Sequence, residues 1–204
     1  MNIDKHLYEK KIYQQGFSLI AGVDEVGRGC LAGPVVASAV IMPVNCEIEG
    51  VMDSKKLSDK KRRILKAKIE QLALAHTTVF IEEGIVDNIN ILEASKLAMK
   101  KAIEGLSPKP DFVLIDALKL NLDIPSLGLI KGDDLSFSIA CASIIAKVNR
   151  DDFMIKIDKD YPGYGFQNHK GYPTKKHLDA LSKYGALPIH RQSYGPVKNL
   201  KKAS

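Results

Sequence analysis

The stretch 17-FSLIAGVDEVGRGCLAGPVVASAVIM-42 decides the fold. Residues 17–23 read as a strand that ends on Asp24-Glu25. Residues 27–34 (GRGCLAGP) hold three glycines and a proline, which predicts a turn. Val35–Met42 is a second, apolar strand, so the segment predicts a hairpin-like pair. It leaves two carboxylates at a strand end, where the loops of an α/β sheet converge on ligands.

Working outward, Ser58 reads as the N-cap of a helix carrying Leu65, Ile69 and Leu72 on one face. Thr77–Glu83 reads as a third strand. Val86–Leu106 reads as a helix, closed off by Pro108 and Pro110. Asp111–Asp116 (DFVLID) is a short apolar strand ending on a carboxylate, and Gly128–Lys131 a weaker one. From Leu135 to about Ile157 a helix is predicted by Phe137, Cys141, Ile144, Ile145 and Val148. Residues 161–173, rich in Gly, Pro and Tyr, predict a loop, and Thr174–Tyr184 a short helix capped by Thr174. The order predicts an α/β fold with a mixed β-sheet flanked by helices. Residues 1–160 would form the main domain and residues 161–204 a basic helical extension.

The chain has 204 residues, 45% hydrophobic and 26% charged, as expected of a globular domain. Its longest apolar run, near Val35–Val44, is about half of what a membrane-spanning helix requires. The N-terminus carries charges of both signs and does not read as a secretory signal. Three cysteines, Cys30, Cys46 and Cys141, form no CxxC pair and suggest neither a disulfide framework nor a zinc site. A reducing, cytoplasmic compartment is the simplest expectation.

The net charge is +6, unevenly spread. Residues 54–68 hold eight basic groups and one acid, and residues 175–204 seven basic groups and one acid, so the remainder is acidic. Two basic zones beside an acidic remainder suggest a polyanionic partner and an acidic pocket. Two solvated, Lys-rich helix faces would give the same count.

Four acids fall where a pocket would form. Asp24 and Glu25 end the first strand, Asp116 ends the strand at 111–116, and Asp133 precedes the long helix. A cluster of like charges requires protons or cations. An all-oxygen donor set suits Mg²⁺ or Mn²⁺. Two such ions about 3.5–4 Å apart can drive phosphodiester hydrolysis. Singly, each acid has a structural alternative: Asp133 as a helix N-cap, Asp116 as a turn residue. Glu25 points away from Asp24 if the strand stays regular, so it would need a twist or would bind metal through its backbone. The glycine turn fails the dinucleotide fingerprint, because a strand rather than a helix follows it. Its glycines permit close backbone approach to a ligand, and Arg28 between them suits a phosphate.

The segment GVDEVGRGCLAGPVVASAV resembles the opening motif of the type 2 ribonuclease H family, in its bacterial ribonuclease HII branch. The resemblance continues through Asp53-Ser54-Lys55-Lys56-Leu57-Ser58, Ile115-Asp116, Lys131-Gly132-Asp133 with Ser136, and Ala142–Val148 with Arg150-Asp151. It ends with Tyr164-Gly165-Phe166 and His169-Lys170-Gly171-Tyr172, covering roughly residues 17–180 in order. It implies a ribonuclease H-like mixed sheet with a C-terminal helical extension that completes a substrate groove. It also implies an endoribonuclease that cuts the RNA strand of RNA–DNA hybrids and single ribonucleotides in duplex DNA. The chemistry would be two-metal-ion hydrolysis leaving 5′-phosphate and 3′-hydroxyl ends, a task in DNA replication and repair. The metal-binding catalytic acids would be Asp24, Glu25, Asp116 and Asp133, holding two Mg²⁺ or Mn²⁺ ions with substrate bound.

By the same resemblance Gly27, Arg28, Gly29 and Tyr172 would recognise the ribose 2′-OH, the backbone group that separates RNA from DNA. Lys55, Lys56, Lys170 and the basic tail would hold phosphates. His169 and His177 would be structural or phosphate contacts. The family usually has Gly where this chain has Ala117. Two alternatives stand beside this expectation: a ribonuclease HIII-type enzyme, and a non-catalytic nucleic-acid-binding protein. The former usually carries an extra N-terminal domain, for which the 23 residues before Asp24 leave no room. A monomer without membrane attachment is expected.

Overall fold

The computed structural model describes residues 4–51, 54 and 57–203. The order is α1 (Leu7–Tyr13), β1 (Ile20–Val26), β2 (Val35–Ile41), α2 (Asp59–Leu72), β3 (Ala75–Ile81), α3 (Glu83–Glu104), β4 (Phe112–Asp116) and β5 (Ser126–Leu129). There follow α4 (Gly132–Leu135), α5 (Phe137–Asp160), α6 (Phe166–His169), α7 (Lys175–Tyr184) and α8 (Gly195–Ala203). The strands form one mixed sheet ordered β3-β2-β1-β4-β5. β2 is antiparallel to both β1 and β3, whereas β1, β4 and β5 run parallel. The predicted hairpin pair is thus β1–β2, with Asp24 opposite Ser38 and Glu25 opposite Ala37.

Strand alternation divides the core between the two sheet faces. Ala21, Val23, Ala37, Ala39, Val113 and Ile115 pack with α3 residues such as Ala98 and Ile103. On the opposite face Val40, Met42, Leu65 and Ile69 pack with Phe137, Cys141, Ile144 and Ile145 of α5. A helix apolar on nearly every side must be buried, and α5 is buried along most of Phe137–Met154. It lies directly on β1, because a Cβ at Gly22 would overlap the Ser138 carbonyl and the Ile139 amide. That close approach fixes the distance between the helix and the end of β1.

The structure also corrects several expectations. Helix α3 is broken at Asn90 (φ 66°), whose Oδ1 caps Leu92 and Glu93 amides at 2.9 and 3.2 Å. The third strand ends at Ile81, and the weak strand lies at Ser126–Leu129 rather than 128–131. Helices α1 and α8 were not anticipated, and the loop at 161–173 contains the turn α6. Asp133 is not the N-cap of the long helix. That role falls to Ser136, whose Oγ accepts the Ile139 amide at 3.2 Å. Ser58 and Thr174 cap their helices as expected. No described helix is long and apolar enough to cross a membrane.

Candidate active site

The parallel pairing of β1 with β4 brings two of the four acids together. The register pairs Val23 with Ile115, so one step further sets Asp24 beside Asp116. Gly22 of β1 lies under α5 and Leu114 of β4 packs with Ile139 of α5. By alternation Asp24 and Asp116 therefore project to the α5 face. Asp24 is buried, and its Oδ1 accepts the Glu25 amide at 2.7 Å. The Ser143 hydroxyl of α5 lies close enough to favour its charged form. Ser143 in turn meets Ser54 at 2.9 Å. Asp116 Oδ1 accepts the Gly132 amide at 2.7 Å, which ties the end of β4 to the turn bearing Asp133. Asp133 is buried, and its carbonyl accepts Lys5 Nζ at 2.8 Å.

Asp24 feels the other three carboxyls. Burial pushes the Asp24 carboxyl well above the usual carboxylate range, and the charges of Glu25, Asp116 and Asp133 push it further. Glu25 is raised by burial and by Asp116, opposed by Arg28, whose Nη1 lies 3.2 Å from Oε1. β1 keeps its pairing register through Glu25 and Val26. Its Oε2 is buried without a hydrogen-bond partner. Among the described residues, no three carboxyl, imidazole or thiol groups form a finished cation cage. The acids instead lean on substitutes: Asp24 on the Glu25 amide, Asp116 on the Gly132 amide, Glu25 on Arg28. The donor set nevertheless fits a hard divalent cation, since it is all oxygen, self-repelling and includes an unpartnered buried Oε2.

Ala117 takes φ 51°, the left-handed region where glycine is at ease and a Cβ is not. The Leu118 amide bonds back to the Asp116 carbonyl at 2.6 Å, so this tight turn directly follows the acid. Lys131 and Lys170 also have positive φ (57° and 53°), which places strained backbone just before Asp133 and Tyr172.

The glycine turn is held from beneath by two buried arginines. Arg150 is fully buried and donates to the carbonyls of Pro34 (3.0 Å), Lys170 (2.8 Å) and Ala32 (3.1 Å). Arg191, also fully buried, donates to the carbonyls of Gly33 (2.7 Å) and Arg28 (2.9 Å). Gly27 (φ 94°) admits Arg150, because a Cβ there would strike its Nε. With the carbonyls drawn inward, the Arg28 and Gly29 amides have no hydrogen-bond partner among the described residues. Arg191, part of the basic tail, is thus spent on backbone carbonyls of the glycine turn.

Tyr172 lies half-buried beside this turn, and burial pushes its hydroxyl up to about 12. Lys147 Nζ and Arg150 Cζ stand 5.8 and 5.9 Å from its ring centroid. The buried Cys30 thiol lies near its hydroxyl. Lys170 Nζ bonds to the Gln167 carbonyl, which anchors it within its own loop. Lys55 and Lys56 lie outside the described residues. Ser143, Lys147, Arg150 and Arg191 were thus missed as site residues. One signal was available: Arg150 falls on the helical stripe Ile139, Ser143, Ala146, Arg150, Met154, where an arginine must find buried acceptors.

Residues 21–197 match the family model described as Ribonuclease HII. The chain is 53% identical over 193 residues to the ribonuclease HII of Enterococcus faecalis, covering 95% of this chain and 76% of that protein. Its fold is similar to the crystal structure of ribonuclease H2 from Pyrococcus horikoshii OT3. There the TM-score is 0.76 at 25% identity, over 91% of this chain and 98% of that one. It also resembles Bst-RNase HIII in complex with Mn²⁺, at TM-score 0.67 and 18% identity, over 94% of this chain and 71% of that one. The last likeness is one of fold alone.

Proposed function

The chain belongs to the ribonuclease HII family and is a ribonuclease H endonuclease, and from this we propose that it cuts RNA–DNA hybrids and single ribonucleotides in duplex DNA. Asp24, Glu25, Asp116 and Asp133 are the catalytic acids in this reading. The observation that carries it is the parallel register of β1 and β4, whose last pair Val23–Ile115 sets Asp24 and Asp116 at adjoining strand ends, with Glu25, Asp116 and Asp133 all acting on the Asp24 carboxyl.

When bound, Mg²⁺ or Mn²⁺ supplies the positive charge that activates water and stabilises the departing 3′ oxygen. The chain's own residues do the rest. Asp24, held by the Glu25 amide, and Asp116, held by the Gly132 amide, aim fixed oxygens into the site. Glu25 offers its unpartnered Oε2 or, since β1 stays regular, its backbone carbonyl. Asp133 closes the site from the turn before α5. The unpartnered amides of Arg28 and Gly29, with Gly27 and the Tyr172 hydroxyl, contact the ribose 2′-OH. Lys55, Lys56, Lys170 and the basic surface of α2 hold phosphates without reading sequence.

Residues 161–204 complete the groove as an extension on the domain of residues 1–160. The Leu31 amide bonds to the Gly171 carbonyl, and Ala32 bridges to His190. The enzyme acts as a cytoplasmic monomer in replication and repair. The test is incision of duplex DNA carrying one ribonucleotide, with and without divalent metal. Cleavage 5′ to the ribonucleotide that vanishes with EDTA supports the reading. Binding without metal-dependent cleavage would make the chain a hybrid-binding protein instead.

A further inference from the structure

Away from the carboxylates, the tail contains a stack of imidazoles. The rings of His169 and His177 lie 4.3 Å apart at 12°, and His177 Nε2 sits 3.1 Å from His190 Nε2. Both His177 and His190 are fully buried. Proton placement along this chain is set by backbone groups of fixed polarity at its two ends. The Leu187 amide can only donate, and it meets His190 Nδ1 at 2.9 Å. His190 therefore carries its proton on Nε2 and gives that hydrogen bond to His177 Nε2. His177 must then carry its proton on Nδ1, which lies 2.9 Å from the Tyr172 carbonyl, an obligate acceptor. No other arrangement gives each contact one donor and one acceptor. His169 is fixed in the same way, accepting the Gly171 amide on Nδ1 (3.2 Å) and donating from Nε2 to the Tyr164 carbonyl (2.9 Å).

We infer that neutral His177 and His190 form a strut of fixed proton placement that positions Tyr172, and that selection of a ribose depends on it. The inference rests on the proposed role of Tyr172 in contacting the 2′-OH. The two histidines are positioning residues. His177 touches the Tyr172 carbonyl and His190 holds His177 from behind; through that carbonyl the pair sets the Tyr172 ring beside Lys147 and Arg150. An added proton on either ring would set two N–H groups against each other. The titratable groups facing the pair are His169, Tyr164 and Tyr172. Burial keeps both tyrosines protonated, so none of these supplies an anion for an imidazolium. The same burial holds His177 and His190 neutral down to about 4.

The tautomers are read directly by ¹⁵N NMR of histidine-labelled protein at pH 7. The expected pattern is Nε2–H for His190 and His169 and Nδ1–H for His177. Any other tautomer at His177, or an imidazolium there, overturns the strut whether or not substitutions fold. Activity gives the second arm. His177→Leu should lower kcat/KM on a duplex holding one ribonucleotide roughly tenfold, with affinity for all-DNA duplex unchanged. His177→Asn, which keeps an N–H near the Nδ1 position, should recover much of that loss. Full activity in His177→Leu overturns the inference. Tyr172→Phe, assayed alongside, separates the two layers. If it alone kept full activity, the hydroxyl reading would fail while a loss in His177→Leu would still support the strut.

Discussion

Arg191 Nη1 lies 2.9 Å from the carbonyl oxygen of Arg28, a residue 163 positions earlier in the chain. The Tyr194 hydroxyl donates to the same oxygen at 2.6 Å. Together they pull one peptide of the glycine turn inward and leave its neighbouring amides facing out.

Arg191→Met should therefore strand the buried Gly33 carbonyl and leave the Arg28 carbonyl only its Tyr194 bond, at a cost of about 3 kcal/mol. For a chain of this size that is a fall in Tm of roughly 10 °C, read by thermal unfolding. Arg191→Lys should regain only part of it, because an ammonium cannot fork to two carbonyls. An unchanged Tm in Arg191→Met would contradict the brace.

Asp116→Asn should reduce cleavage at least a hundredfold while leaving hybrid affinity within about twofold, since the basic surface is untouched. Parallel incision and fluorescence-anisotropy assays separate the two effects. Near wild-type cleavage would remove Asp116 from the site.

Asp24 is buried among like charges, so Asp24→Asn should raise the Tm of the metal-free protein. Mg²⁺ or Mn²⁺ should raise the Tm of the unsubstituted chain by mass action and raise that of Asp24→Asn much less. A thermal-shift titration with each ion gives both values.

His177 and His190, each lowered to about 4 from an ordinary 6.5, bear on acid stability. Below pH 6.5 the unfolded chain takes up protons that these folded rings refuse, so stability rises with pH across this window. Their contribution to unfolding should appear between pH 6.5 and about 4, amount to a few kcal/mol, and be flat above 7. Denaturant melts at stepped pH, repeated on His190→Asn, would show the slope reduced.

Much of this architecture was legible in the sequence because its signals are local. Alternation and turn residues outline β1 and β2, DFVLID announces β4, and Ser58 and Thr174 mark their helices. The four acids were legible as strand-end and helix-start residues. What sequence alone concealed was long-range pairing. Nothing local distinguishes Arg191 of the tail, whose acceptors lie near residue 30, from the lysines around it. Asn90 looked like one more helical residue until its side chain proved to restart α3. Helix α1 is short, and what anchors it is buried Glu9, whose Oε1 accepts from Ser136 at 2.6 Å across the chain.

Ala117 offers a substitution in the stabilising direction. At φ 51° its methyl group opposes the backbone, so Ala117→Gly should raise stability by about 1 kcal/mol, less glycine's entropy cost in the unfolded state. Cleavage should stay within twofold, because the Asp116 side chain keeps its bond to Gly132. Urea unfolding of the two proteins settles the sign.

The brace on the glycine turn also gives the molecule an order of completion. The ribosome delivers Asp24, Asp116 and Asp133 well before Arg191 and Tyr194. A nascent polypeptide thus owns every acid while the loop from Gly27 to Pro34 still lacks its underpinning. Translation that stops shortly before Arg191 would yield a product with the four proposed catalytic acids present and the glycine turn unbraced.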